Sequence, residues 1–141
     1  MTSLRDQVQD AIAGFPPNTP IYMLNLLKFH PTAQYTPETS PTTSPLTGQE
    51  VYFKHYIPAF RAVAAQFGSK STVHFVGTAI GNLIVDPGEE WDMVALIRYE
   101  TVEAFKQIAT SDSYDEKARV HREAALKGWK LVATTQFDTG A

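Results

Sequence analysis

The sequence contains no cysteine. Disulfides, thiolate nucleophiles and thiolate metal sites are excluded together, and a cytoplasmic setting is expected. An excess of positive charge is missing too, since 12 Lys and Arg stand against 15 Asp and Glu, a formal net charge of −3. A protein that tracks a phosphate backbone needs a basic stripe, so nucleic acid is not an expected partner. No apolar run approaches the ~20 residues that span a bilayer. Arg5, Asp6, Gln7, Gln9 and Asp10 interrupt the N-terminal stretch where a secretion signal would carry its apolar core, so no membrane contact is expected either. Catalytic signatures are scarce. Gly77 and Gly81 lack the third glycine and the following helix of a phosphate-binding loop, and no Gly-x-Ser-x-Gly elbow occurs. The histidines show neither His-x-His nor His-Glu-x-x-His spacing. No metal and no cofactor are expected.

What is present is a succession of apolar periods in a chain of 141 residues, a length that suits one domain. Leu4, Val8 and Ile12 repeat every fourth residue and predict a short helix over residues 3–13, capped by Ser3, with Asp6 in its first turn, and stopped by Pro16 and Pro17. Residues 1–20 are read as a helical arm laid on a domain that spans residues 21–141. Ile21 to Phe29 is apolar at nearly every position, the pattern of a strand covered on both faces. Asn25 is the exception, on the face it shares with Met23 and Leu27. Residues 30–48 carry Pro31, Pro37, Pro41 and Pro45 among Thr and Ser, with no apolar period, and read as a long loop.

Phe53, Tyr56, Ile57, Phe60, Val63, Ala64 and Phe67 form one stripe of a helix over residues 49–67, ended by Gly68. Pro58 lies inside that pattern and must either start the helix or kink it. Thr72 to Val85 reads as a strand bent at Gly77 or Gly81, Asp86-Pro87-Gly88 as a turn, and Trp91 to Tyr99 as the returning strand of an antiparallel hairpin. Thr101 caps a helix that turns Val102, Phe105 and Ile108 inward. Ser113 and Glu116 make a capping box for a further helix over Tyr114 to Leu126, ended by Gly128, and Trp129 to Phe137 is the last strand. Without its arm the order is βαββαβ. It predicts a ferredoxin-like α+β fold, an antiparallel four-stranded sheet with its helices on one face. Strands apolar on both faces leave the second face in need of cover, and a second copy of the same sheet is the simplest cover. A homodimer is expected.

The segments MLNLLKF at 23–29, YFKHYIPAF at 52–60, Gly68, Gly77, WDMVALIRY at 91–99 and SDSYDEKARVHREAAL at 111–126 follow one another with the spacing of a known group. On these the stretch Ile21 to Phe137 resembles a bacterial domain-of-unknown-function family in the dimeric α/β-barrel superfamily. Ser69 stands where that family often has a second glycine, and Tyr99-Glu100-Thr101 where it often has Phe-Pro-Ser. The resemblance implies a dimeric barrel and no agreed activity. Relatives in the wider superfamily include cofactor-free oxygenases, lactone isomerases, dehalogenase-like proteins, haem enzymes and stress proteins.

Several residues are of types that carry chemistry. Asn25 could polarise a ligand carbonyl, or it could be a buried amide satisfied by backbone. His121 is the candidate general base near neutral pH, and Arg122 the candidate for two parallel bonds to a carboxylate or for an ion pair. Together His121, Arg122 and Asn25 form the candidate catalytic set. Tyr56, Trp91, Tyr114 and His74 are the candidate substrate-binding residues, with the aromatics equally readable as core. Asp92 and Arg98 alternate away from Trp91 and read as a cross-strand ion pair, while Asp115–Arg119 and Arg119–Glu123 have the i,i+4 spacing of helical salt bridges. The expected function is a small dimeric protein with an apolar pocket for a small metabolite. It would act as a cofactor-free isomerase or oxygenase, as a non-catalytic ligand-binding or stress-related protein, or as a structural dimer using loop 30–48 as its contact surface.

Overall fold

The computed structural model describes residues 4–140, so the expected Ser3 cap lies outside the described residues. Helix α1 (Leu4–Ala11) buries Val8 and is prolonged by a 3-10 turn at Ile12–Gly14. Arg5 ties it to the far end of the chain through Asp112 at 2.8 Å and Asp115 at 3.3 Å. Four strands follow in the chain: β1 (Ile21–Phe29), β2 (Ser71–Thr78), β3 (Met93–Tyr99) and β4 (Leu126–Thr134). They form one open sheet in the order β2-β3-β1-β4, with every neighbouring pair antiparallel. The molecule is α+β: the core lies between one face of this sheet and the helices. Ile21, Met23, Leu27, Met93 and Tyr99 come from the sheet, and Val51, Val63, Phe105 and Ile108 from the helices.

The helix expected at 49–67 starts one residue earlier and absorbs its proline in an unforeseen way. Thr47 and Glu50 form a capping box ahead of α2 (Gly48–Val51). Tyr52–Tyr56 then winds as a π-helical turn, and α3 (Ile57–Gln66) continues to Gly68, whose φ of 63° suits its place past the helix end. A proline ring collides with the carbonyl four residues back and supplies no N–H to it. Widening the turn just before Pro58 is how this helix accommodates both losses without breaking.

Residues 30–47 hold no helix or strand but are tied at both ends. His30 N–H donates to Ala125 O at 2.9 Å, Gln34 N–H to Ala124 O at 2.8 Å, Ala33 N–H to Leu46 O at 2.7 Å, and Gly48 N–H to His30 O at 2.9 Å. A side chain at Gly48 would begin in hard collision with the carbonyl oxygens of both His30 and Ala125. Only glycine allows that approach.

In the second half the structure corrects several expectations. The strand break falls at His74, where the β2–β3 register shifts between Val73 and Phe75, and β2 ends at Thr78. Residues 79–92 form a long connection. After α4 (Val102–Ala109), capped by Thr101, the expected single helix is two: α5 (Asp112–Lys117) and α6 (Arg119–Ala125), divided at Ala118. The cap is Ser111, whose Oγ accepts from Tyr114 N–H at 3.0 Å, rather than Ser113. Gly128 does not end a helix but sits within β4 opposite Lys28, with the Trp91 ring in ordinary contact distance beside it. Arg119 pairs with Glu123 at 3.2 Å, whereas Asp115 turns to Arg5. Asp92 accepts from Phe29 N–H at 2.8 Å and forms no bridge to Arg98.

Candidate functional site

Alternation along the strands divides the sheet's side chains into two sets. One set, with the π-turn and α3 above it, encloses a cleft of about 180 Å³. Its floor is Met23, Asn25, Leu27, Met93, Ala95 and Ile97, with Val73 and Val76 towards the β2 edge and Trp129 and Leu131 on β4. Its roof is Tyr52, Phe53, Tyr56, Ile57 and Phe60. The proline-induced π-turn therefore supplies three of the roof aromatics. Arg61 and Ser71, both exposed, also line it.

Asn25 is the buried polar side chain of this apolar floor. Its Oδ1 accepts from Trp129 Nε1 at 3.1 Å, and its amide nitrogen donates to Met23 O at 3.3 Å and, more weakly, to Ala95 O at 3.5 Å. The carboxamide is thus held by both neighbouring strands. One acceptor site on Oδ1 remains unused among the described residues, since a carboxamide oxygen takes two hydrogen bonds.

Behind the roof lies a second polar chain. Tyr56 and Tyr114 hydroxyls are 2.9 Å apart, and Arg122 Nη1 donates to the Tyr114 hydroxyl at 2.6 Å. The Arg122 guanidinium also sits 4.9 Å above the Trp129 ring, a cation–π contact. It has no carboxylate partner among the described residues. Burial pushes the Tyr114 phenol up, while the Arg122 guanidinium pulls it back, and burial drives Tyr56 well above its ordinary value; either hydroxyl can be the donor in the bond between them. Burial raises Tyr52 and Tyr99 as well, so these phenols stay protonated at neutral pH.

The candidate residues divide by place. Asn25 and Tyr56 line the cleft, and Tyr114 and Arg122 stand one layer behind Tyr56 and Trp129. His121 faces away from it. The helix is interrupted at Ala118 between Tyr114 and His121, and the Nδ1 of His121 lies 2.5 Å from the hydroxyl of Tyr35 in the long loop. Its ring stacks on His55 at 5.5 Å, and burial, then His55, hold it below the usual histidine value. His74 lies on the opposite face of the sheet, edge-on to Tyr22 at 5.3 Å, as alternation from Val73 predicts. Trp91 lies on that opposite face too, against Gly128. Trp129 holds the cleft position expected of Trp91. The alternation Trp129, Leu131, Ala133 was the available signal for it, as the i,i+4 pair Tyr52–Tyr56 was for the roof. Nothing in the loop sequence pointed to Tyr35. Among the described residues, no group of three or more His, Cys, Asp or Glu side chains is placed to hold a metal ion, and no helix is long and apolar enough to cross a membrane.

The fold and the cleft define an α+β protein with a four-stranded antiparallel open sheet and a mostly apolar recess under its helices. Among solved structures, two of RPA0582, a protein of unknown function from Rhodopseudomonas palustris studied as a structural genomics target, are similar to it. Each is 28% identical with a TM-score of 0.71; the structure of the methylated protein matches over 96% of this chain and the other over 94%, each over 91% of its own chain. No family model and no curated protein matches the chain.

Proposed function

We propose that this protein binds a small, largely apolar metabolite in the cleft between sheet and helices, and that it works as a homodimer. The observation that carries the binding reading is the cleft itself. An apolar cavity of roughly 150 Å³ is enough to hold a benzene-sized molecule, and this one is slightly larger, with the Asn25 carboxamide in its floor. Such a recess with a few fixed polar groups is the usual form of a small-molecule site. No His, Asp, Glu or Lys lines it among the described residues. Proton abstraction by His121 therefore has less support than binding, and the isomerase and oxygenase readings rank below it.

The dimer reading rests on the other sheet face. Leu24, Leu26, Val94 and Leu96 are only half-buried there, and Phe75 and Val132 are exposed. Ile80, Leu83 and Ile84 in the adjoining connection stand almost fully in solvent. Exposed apolar side chains gathered on one sheet face support an interface there. A strand order of β2-β3-β1-β4 with this face open supports the ferredoxin-like arrangement, in which two sheets pack face to face as a dimeric α/β barrel.

A thermal-shift screen against small aromatic ketones, lactones, phenols and carboxylates tests the binding reading. A ligand at 100 times its Kd adds about 2.7 kcal/mol, enough to raise the melting point by several degrees. The shift is expected to disappear in Ala95→Phe, which fills the cleft floor. No shift across the screen would favour a structural dimer instead.

A further inference from the structure

The hydrogens in the chain Arg122, Tyr114, Tyr56 do not balance. Arg122 donates to the Tyr114 oxygen at 2.6 Å and, being a guanidinium, accepts nothing. Two phenolic hydrogens remain, and the single bond between the hydroxyls, 2.9 Å long, uses one of them. Neither hydroxyl has another partner among the described residues. One hydrogen is left without an acceptor in the protein. Buried donors are nearly always satisfied, so the acceptor is water in the free protein or an oxygen of a bound molecule.

The charge at Arg122 decides which hydroxyl holds the spare hydrogen. A guanidinium donating to the Tyr114 oxygen makes the Tyr114 O–H a stronger donor, because successive hydrogen bonds polarise one another. The favoured direction is therefore Arg122 to Tyr114 to Tyr56. That leaves the hydrogen on Tyr56, the member of the chain that lines the cleft. No carboxylate of the described residues pairs with Arg122, and no Asp or Glu among them lines the cleft; the acid that acts on Tyr114, Asp115, is itself paired with Arg5.

We propose that Tyr56 is the hydrogen-bond donor of the cleft, polarised by Arg122 through Tyr114, and that the ligand is a ring-sized apolar molecule carrying a carbonyl or similar acceptor oxygen. This deepens the binding reading above and rests on it. The π-turn has a part in the arrangement: it carries Tyr52 and Tyr56, stacked 5.1 Å apart, over the floor, so an apolar ring and an oxygen acceptor are served by the same helical turn.

The test compares acetophenone with isopropylbenzene, which replaces the carbonyl oxygen by a methyl group at nearly constant shape. Both are titrated into the full chain by NMR, and the carbonyl stretch of bound 13C-labelled acetophenone is read by infrared spectroscopy. The wild type is expected to hold acetophenone with its carbonyl band shifted to lower wavenumber. In Tyr56→Phe the preference for acetophenone over isopropylbenzene should fall about threefold to tenfold, the worth of one net hydrogen bond, while isopropylbenzene binding holds. Tyr114→Phe, which severs Tyr56 from Arg122, should return the band part of the way. An unchanged preference in Tyr56→Phe, or a wild-type band at its position in a hydrocarbon solvent, overturns the donor and leaves the cleft reading standing. The infrared measurement needs no variant, so a misfolded Tyr56→Phe does not remove the test. Failure of both compounds to bind overturns the cleft reading and the donor with it.

Discussion

Trp129 Nε1 donates to Asn25 Oδ1 at 3.1 Å, joining a buried polar side chain of the sheet core to the aromatic that closes the β4 side of the cleft. The two residues lie on neighbouring strands, with Trp129 opposite Leu27 and Asn25 opposite Leu131, so the bond runs diagonally across the pairing. Each group satisfies the other in the half-buried floor of the cleft.

Asn25→Leu is expected to lower stability by about 1–3 kcal/mol, because it strands the indole N–H as a buried, unsatisfied donor. Trp129→Phe removes the donor but opens a gap. The double variant should lose less than the sum of the two, and urea denaturation of all four proteins measures the difference. Strict additivity would show that the bond contributes nothing.

Gly48 and Gly77 make opposite predictions. A methyl group at Gly48 meets the carbonyl oxygens of His30 and Ala125, both backbone, and neither can yield without moving the anchored loop or the end of α6. Gly48→Ala should cost at least the ~1–3 kcal/mol typical of overpacking. A methyl group at Gly77 meets only the ring of Phe75, an exposed side chain free to swing aside, so Gly77→Ala should change the denaturation midpoint little. Equal effects at the two sites would contradict this account.

The exposed sheet face predicts an assembly. Sedimentation equilibrium of the wild type should give the mass of two chains. Leu96→Glu, at the centre of that face, should give one chain with an unchanged circular dichroism spectrum, since a desolvated, unpaired charge is not tolerated in an interface core. Ile84→Asp, on the projecting connection, should weaken association less. A wild type that stays monomeric at high concentration would refute the dimer.

His121 predicts a pH dependence. Burial and the neighbouring His55 lower its value in the folded protein, and burial with Lys127 lowers His30. The unfolded chain therefore takes up protons at higher pH than the folded chain does. Stability should be complete above the ordinary histidine value and fall as pH drops through it towards the folded values. The Tyr35–His121 bond and the stacked His55 make the loop the first part affected. Melting temperatures between pH 7.5 and 5 should fall more steeply in the wild type than in His121→Gln, and parallel curves would remove His121 from the explanation.

How far these features were legible follows from the range of the forces involved. The strands, the helices and their order were visible because alternation and helical periodicity are local consequences of which side chains leave water. The open apolar face was visible for the same reason, in a β1 that is apolar on both sides. Asn25 and Tyr56 could be singled out from their own positions alone. The helix break at Ala118 was hidden, since residues 111–126 carry a continuous helical pattern, and only packing against the loop and the sheet sets the phase of α6. Equally hidden was that the inward side of α6 at His121 meets Tyr35 of the loop and His55 rather than the cleft. In the same way, a one-residue bulge at His74 is invisible in a sequence whose glycines suggest bends elsewhere, yet it turns Phe75 to the outer face opposite Leu96, while His74 keeps the face opposite Val73 that alternation predicts. Trp91 was the expected cleft wall, but the pairing of the sheet sets it beside Gly128 on the outer face and brings Trp129 to Asn25 on the inner. The sequence by itself determined the layers, the strand order's raw material and the need for a covered second face, through the burial of apolar area residue by residue. The tertiary structure alone decided which polar groups meet, because hydrogen bonds act over about 3 Å between residues far apart in the chain, and no local pattern encodes that distance.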